Sequence, residues 1–397
     1  VSLPTAPIAP RWKLATLFFI NAAALGIWTV NFGNVLRTHG LEHLIGYAYA
    51  CTAVASFISP LAVGALADQA ISPVRLVRWL SLAAAACLTL LFSAIEHQWG
   101  AFVVLGLAQL QAICAAPIFG LSTSIVMAEL GNPEKEFGPL RSLATFGWMA
   151  AGWAVSFVLH ADTSTACGFA AATLYVATAA FTLALPEIAP AERDGPRDVF
   201  GLAALQLFRH RDHRVVFLTA ALYNIPMAAF YPFTPIHLSN LGIEHATATM
   251  SIGQISEMIS MFVLAGLIAR LRLKRVFLVG IAFGILRFAL CSLDTQAWLI
   301  TGISLHGFAF TLYYITAQIY LEQRVDPAMR ARAQALLNVM LAGFGNFIGY
   351  IGNGFWREAC MTGTHTDWPT FWKGVCGATV VVWIWFALSY RGRQSAS

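Results

Sequence analysis

Glu257, Arg287, His306 and Arg141 are ionisable residues set inside runs of apolar sequence. Glu257 closes the stretch Ser251-Ile252-Gly253-Gln254-Ile255-Ser256-Glu257, and Gln254 and Glu257 share one helical face at i, i+3. A carboxyl so placed can bind a polar solute, carry a proton, or do both; a purely structural ion pair is the alternative. Arg287, within Gly284-Ile285-Leu286-Arg287-Phe288, is its natural counter-charge, for coupling or for simple neutralisation. His306 and Phe310 are spaced i, i+4, so the histidine is either a proton relay or ligand, or a hydrogen-bonded core residue. Arg141, Thr145 and Trp148 fall at i, i+4 and i+7, a guanidinium, a hydroxyl and an indole in a row. That row suits a ligand with both hydroxyls and a planar ring. The plainer reading is an interfacial arginine that snorkels to the surface.

The elements that must hold these groups follow from composition. The 397 residues are 58% hydrophobic and 11% charged, with a mean hydropathy of +0.68, against about 25% charged in soluble domains. A soluble enzyme or a disordered chain is excluded, and a polytopic membrane protein is implied. Runs near the roughly 20 residues a bilayer requires lie at about 14–36, 44–67, 74–95, 99–126, 139–160, 166–186, 215–239, 247–270, 275–293, 296–320, 331–356 and 369–390. The first is too long for a cleaved leader and is followed by eleven more. Nineteen of the 24 Lys and Arg fall in loops on one side, and Arg37, Arg357 and Lys373 on the other. The positive-inside rule then places both termini in the cytoplasm. Arg141 and Arg287 are the remainder, within spans.

The longest polar stretch, 187–213, separates six spans (1–186) from six (214–397). The halves echo each other. Gly64-Ala65-Leu66-Ala67-Asp68 ends span 2 before Arg75 and Arg78, and Gly266-Leu267-Ile268-Ala269-Arg270 ends span 8 before Lys274 and Arg275. Duplicated six-helix halves are a common plan of secondary transporters, with a solute site near the midplane. On these residues the chain resembles the major facilitator superfamily. The resemblance implies an all-α membrane protein of twelve transmembrane helices in two pseudo-symmetric six-helix bundles. Gly64 to Asp68 resembles the superfamily's loop motif after helix 2, with Gln69 where a basic residue is usual. It makes Asp68 a gating residue, unless it only caps a helix end.

Other signals carry less. Pro226, Pro232 and Pro235 should bend or break span 7, as in the broken helices that line transporter cavities. The amides of Asn21, Asn31, Gln334, Asn338 and Asn346 are expected to bond between helices. The span 11 glycines should serve close packing. Seven cysteines lie mostly in apolar runs without C-x-x-C spacing. His39 and His43 have no nearby partner ligands for a metal, and His210 and His213 read as part of a solvated basic loop. No phosphate-binding G-x-x-x-x-G-K-[ST] is present. A membrane-embedded enzyme would need a nucleophile–base pair or metal cluster at an interfacial loop, and a transporter-derived receptor would usually carry an added soluble domain. Neither feature is visible.

A closer resemblance rests on Phe137-Gly138-Pro139-Leu140-Arg141, with Thr145, Gly147 and Trp148, and on Gln254-Ile255-Ser256-Glu257. With Leu286-Arg287-Phe288 and Gly307-Phe308-Ala309-Phe310, these resemble the bacterial nucleoside:proton symporters. The resemblance implies nucleoside binding by Arg141, Thr145, Trp148, Asn224, Gln254, Glu257, His306 and Phe310. Proton coupling then falls to Glu257, Arg287 and His306. There are departures: His306 stands where Tyr is expected, Thr311 where an acid is expected, and Met227 where an amide is usual. Glu257, Arg287 and His306 also resemble the set used by lactose-permease-like sugar symporters, although Ala309 occupies the position of that family's further carboxylate. The expectation is therefore a proton-coupled symporter that imports nucleosides by alternating access, with sugar symport as the alternative. It would act as a monomer in the bacterial inner membrane, with no cofactor beyond the coupling proton and no nucleic-acid partner.

Overall fold

A computed structural model of the chain describes residues 10–68, 71–188 and 202–392. Nine helical segments among the described residues are long and apolar enough to cross a bilayer. They are α1 (Arg11–Thr38), α3 (Pro73–Glu96), α4 (Ala101–Ala128), α6 (Ala166–Ala184), α7 (Arg211–Asn240), α8 (Ala246–Arg270), α10 (Gln296–Arg324), α11 (Pro327–Ala359) and α12 (Trp368–Ser389). Three further helices, α2 (Ile45–Asp68), α5 (Pro133–Trp153) and α9 (Leu273–Cys291), complete the order. Strands are confined, among the described residues, to one small hairpin, β1 (Met361–Thr362) and β2 (His365–Thr366), before α12.

Helix starts follow local chemistry. Pro73 and Pro133 sit in first turns, where a missing N–H costs nothing. Asn132 caps α5 by accepting from Lys135 N, and Asp367 caps α12 by accepting from Thr370 N (3.1 Å) and Thr370 Oγ1 (2.7 Å). The hydrogen bonds from Thr370 hold the Asp367 carboxyl below its usual range. The prolines of α7 act as expected: after Pro226 the helix breaks at Ala228–Ala229 and resumes from Phe230 to Asn240. A similar break at Val30–Asn31 divides α1.

The chain divides into two units. One comprises Val1–Leu44 and Val54–Arg197, the other Ile45–Ala53 and Asp198–Ser397. In the first, α1 packs along α5 and α6, and α3 along α4 and α6. In the second, α9 packs along α10 and α12, α8 along α10, and α7 along α11 and α12. The placement of α3 against α4 and α6 recurs in α9 against α10 and α12, the structural counterpart of the repeated loop sequence. Of the polar linker, residues 189–201 lie outside the described residues, as do the side chains of 60–68, so the side chain of Asp68 is not described.

Surfaces fit a lipid solvent. Phe102, Phe262 and Leu388 are largely exposed, and exposed tryptophans occur near both ends of the helices: Trp12 and Trp79 near the basic loops, Trp99 and Trp298 near the opposite ends. An interhelical amide bond also occurs as expected, with Asn21 Nδ2 donating to Ser122 Oγ (2.6 Å), while Asn31 Nδ2 donates to the Ala161 carbonyl (2.9 Å) in the loop before α6.

One polar clamp carries no clear sequence signal. His237, fully buried near the end of α7, stacks on Trp368 at 4.7 Å and accepts at Nδ1 from Trp372 Nε1 (2.9 Å). An indole N–H only donates, so the ring proton sits on Nε2, which donates to Asp294 Oδ1 (2.8 Å) in the α9–α10 loop. Replacing Trp372 with Phe leaves a buried acceptor unpaired, a cost of about 1–3 kcal/mol. The expected result is a transition lowered by several degrees in tryptophan-monitored thermal unfolding in detergent. An unchanged transition would remove the clamp from the stability of this end.

Candidate functional site

In the second unit the site is built on a backbone contact. Gly307 of α10 lies so close to α8 that an added Cβ would overlap the Glu257 amide nitrogen and the Ser256 carbonyl carbon. The Gly307 N–H donates to Ser256 Oγ (2.9 Å). Ser256 Oγ in turn donates to the Gly253 carbonyl (2.8 Å). Ser260 Oγ shares its proton between the carbonyls of Glu257 (2.8 Å) and Gly307 (3.1 Å). The peptide is available for this because α10 is irregular here: a turn at Leu305 precedes it, and a π-helical turn, Thr311–Ile315, follows. Such turns recur at functional sites. Glu257 is thereby fixed at a half-buried position, between a buried seam (Gly253, Ser256, Ser260) and an exposed one (Met258, Ile259, Phe262).

His306, next to Gly307, packs against Gly253 and stacks on Phe230 at 4.3 Å. Its Nδ1 lies 2.8 Å from Arg287 Nη1. Arginine only donates, so His306 accepts at Nδ1, and this fixes a neutral ring with its proton on Nε2. The Arg287 guanidinium carbon sits 3.9 Å from the Phe230 ring centroid, within cation–π range. Arg287 is fully buried, and its Nε and Nη2 have no hydrogen-bond partner among the described residues. The expected pairing of Arg287 with Glu257 is therefore not what the structure contains. The long side chain turns to His306, the sulfur of Met227 and Phe230, because the bend after Pro226 brings that α7 segment against α9 and α10.

The remaining candidates divide. Gln254, buried, donates from Nε2 to Tyr231 Oη (3.2 Å), and Tyr231 meets His306 edge-on at 6.0 Å. Phe310 lies 6.1 Å from His306 and 4.9 Å from Tyr314. The structure thus brings Gln254, Glu257, Arg287, His306 and Phe310 together. Asn224 is different: its amide donates to Asn346 Oδ1 and the Leu341 carbonyl, and its oxygen accepts from Tyr314 Oη. Both ends are committed to protein, as a tie between α7, α10 and α11. Thr311 is buried, with no partner for its hydroxyl among the described residues.

In the first unit, Arg141, Thr145 and Trp148 are each half-buried on α5, while Ser142 and Phe146 between them are exposed. Arg141 lies over the Phe119 ring at 4.6 Å. Trp148 packs against Gly26 of α1, and Gly147 admits the Phe19 carbonyl where any Cβ would collide. Close packing of α5 on α1 therefore sets the direction of the Arg141–Thr145–Trp148 row.

Phe230, Ser256, Ser260 and Tyr314 were not singled out in the sequence. One signal was present. His306, Phe310, Tyr314 and Gln318 recur every four residues along α10.

Residues 9–395 match the family model described as Nucleoside H+ symporter. The Escherichia coli protein YegT is 30% identical over 405 residues, covering 96% of this chain and 93% of YegT. The Escherichia coli nucleoside permease NupG is 27% identical over 419 residues, covering 96% of each. A crystal structure of nucleoside transporter NupG superposes with a TM-score of 0.87 at 25% identity, covering 96% of this chain and 99% of that one.

The Gly307 contact predicts a contrast. Gly307→Ala should abolish folded, detergent-stable protein or reduce transport at least tenfold. Gly266→Ala, where nothing lies within 4 Å of the added carbon, should leave yield and transport within twofold. Normal behaviour of Gly307→Ala in size-exclusion chromatography and transport would show that the helices need not approach so closely.

Proposed function

Because the chain belongs to the nucleoside H+ symporter family, with the major facilitator fold and no enzymatic activity, we propose that its proton-coupled nucleoside transport runs through Glu257. The supporting observation is the Arg287–His306 hydrogen bond. Arg287 is already protonated and has no lone pair with which to take another proton, and protonating His306 at Nδ1 would set two donors face to face. A carboxylate has about four lone-pair sites, so Glu257 takes a proton while keeping a hydrogen bond. Glu257 is thus the proton carrier of this group, and His306 holds Arg287 in place as a fixed positive charge.

Each unit supplies nucleoside ligands. Trp148 and Phe310 offer ring faces to the base. Arg141, Thr145, Gln254 and Glu257 offer donors and acceptors to ribose hydroxyls or base edges. Asn224 shapes the site through Tyr314. Asp68 acts at the gate rather than on the solute. The transporter works as a monomer in the bacterial inner membrane, importing solute, with both termini in the cytoplasm; the side on which the basic residues fall supports that orientation. One proton moving through 100 mV releases about 2.3 kcal/mol, which sustains roughly 50-fold accumulation at 1.4 kcal/mol per tenfold.

Proteoliposomes loaded with the wild type should accumulate uridine or adenosine only when a proton gradient is imposed. Glu257→Gln should lose that accumulation by at least tenfold while still exchanging labelled for unlabelled nucleoside. Undiminished gradient-driven uptake by Glu257→Gln would remove the carboxyl from coupling.

A further inference from the structure

Two sequence features remain unused by this mechanism: the amides of Gln334 and Asn338, and the continuation of the α10 repeat to Gln318. They line one cavity of about 340 Å³ in the second unit, with Ala335, Leu337 and Leu341 as its apolar wall. Gln334 Nε2 donates to the Gln318 backbone carbonyl (2.9 Å), which pins it and leaves its oxygen as an acceptor. The side-chain amides of Gln318 and Asn338 are exposed in this structure and make no hydrogen bond with the described residues.

We propose that this cavity is a second, weaker nucleoside subsite, about two helical turns beyond Phe310. Four observations support it. Eight residues separate Phe310 from Gln318, which is at most about 12 Å of helix and less across the Thr311–Ile315 π-helical turn, so the two are separate positions about two turns apart along α10. The size is at the lower end of the range of small-molecule pockets, about 300–1,000 Å³, which suits one base and one sugar. Among the described residues no charged side chain lines the cavity, so it fits an uncharged nucleoside better than a nucleotide. Gln318 and Asn338 each present a donor beside an acceptor, the pattern with which Asn and Gln read base edges, and Gln334 adds an acceptor.

Its position is equally specific. The rings of His306, Phe310 and Tyr314 form a continuous run toward Gln318. On the facing helix, Asn338 immediately precedes a second π-helical turn, Val339–Gly345. Within that turn the Leu341 carbonyl accepts from Asn224, which also accepts from Tyr314. The subsite is therefore joined to the primary group by rings along α10 and by hydrogen bonds through α7 and α11. It lies toward the basic-loop end, where solute leaves on import.

The inference rests on the nucleoside reading above, and one measurement separates the two. Equilibrium dialysis of the purified full chain against uridine, taken to millimolar concentration, should approach two nucleosides bound per chain. The double variant Gln318→Leu/Asn338→Leu should bind one, with the tighter affinity changed less than twofold. No binding by the wild type would defeat the nucleoside reading itself. Saturation at one would defeat only the subsite, and so would two in the double variant. Should that variant fail to fold, Asn338→Cys supplies the second arm. Uridine should slow its alkylation at least threefold, read by peptide mass spectrometry, without protecting Gln323→Cys on the same end; equal protection or none would overturn the assignment.

Discussion

Much of the second unit depends on one contact, the Gly307 peptide lying against the Ser256–Glu257 backbone. Two helices approach to backbone distance only where a side chain is missing, and in an apolar solvent the exposed peptide groups must then find partners. Ser256 and Ser260 provide them from one turn of α8. The depth of Glu257 and the position of His306 follow from that arrangement. So does the irregular course of α10, since a helix that gives its peptide groups to a neighbour cannot keep them all for itself.

The second constraint is the one-way chemistry of arginine. A buried guanidinium needs acceptors or a ring face, and Arg287 has the histidine nitrogen, a thioether and Phe230. This arrangement keeps a charge in an apolar interior with no carboxylate among the described residues touching it. It also fixes the histidine tautomer through donor and acceptor identity alone.

Much of this was legible in the sequence, for a definite reason. Hydropathy and length mark the helices because a bilayer leaves few ways to satisfy a backbone, and Pro226 marks the break in α7. The Arg141–Thr145–Trp148 row was readable because it lies on one helix and depends only on helical period. What failed was pairing between helices. Glu257 and Arg287 look complementary in composition, yet Arg287 reaches Phe230 and His306 through the α7 bend, and no periodicity encodes that. Asn224 was readable as a polar residue at the right depth. Its commitment to Tyr314, Leu341 and Asn346 depends on three-dimensional neighbours. The His237 clamp was hidden likewise, since its three members come from positions 237, 294 and 372.

That clamp has a mechanical corollary. The stretch from Phe230 to Asn240 is riveted at its far end to the α9–α10 loop and the first turns of α12, whereas the helix ladder is interrupted at Ala228–Ala229. Flexure of α7 is therefore concentrated at those two residues, a fulcrum adjoining Phe230, on which both the guanidinium and the imidazole rest. A change of angle between Arg211–Met227 and Phe230–Asn240 would bear directly on Phe230, and through it on the guanidinium and the imidazole.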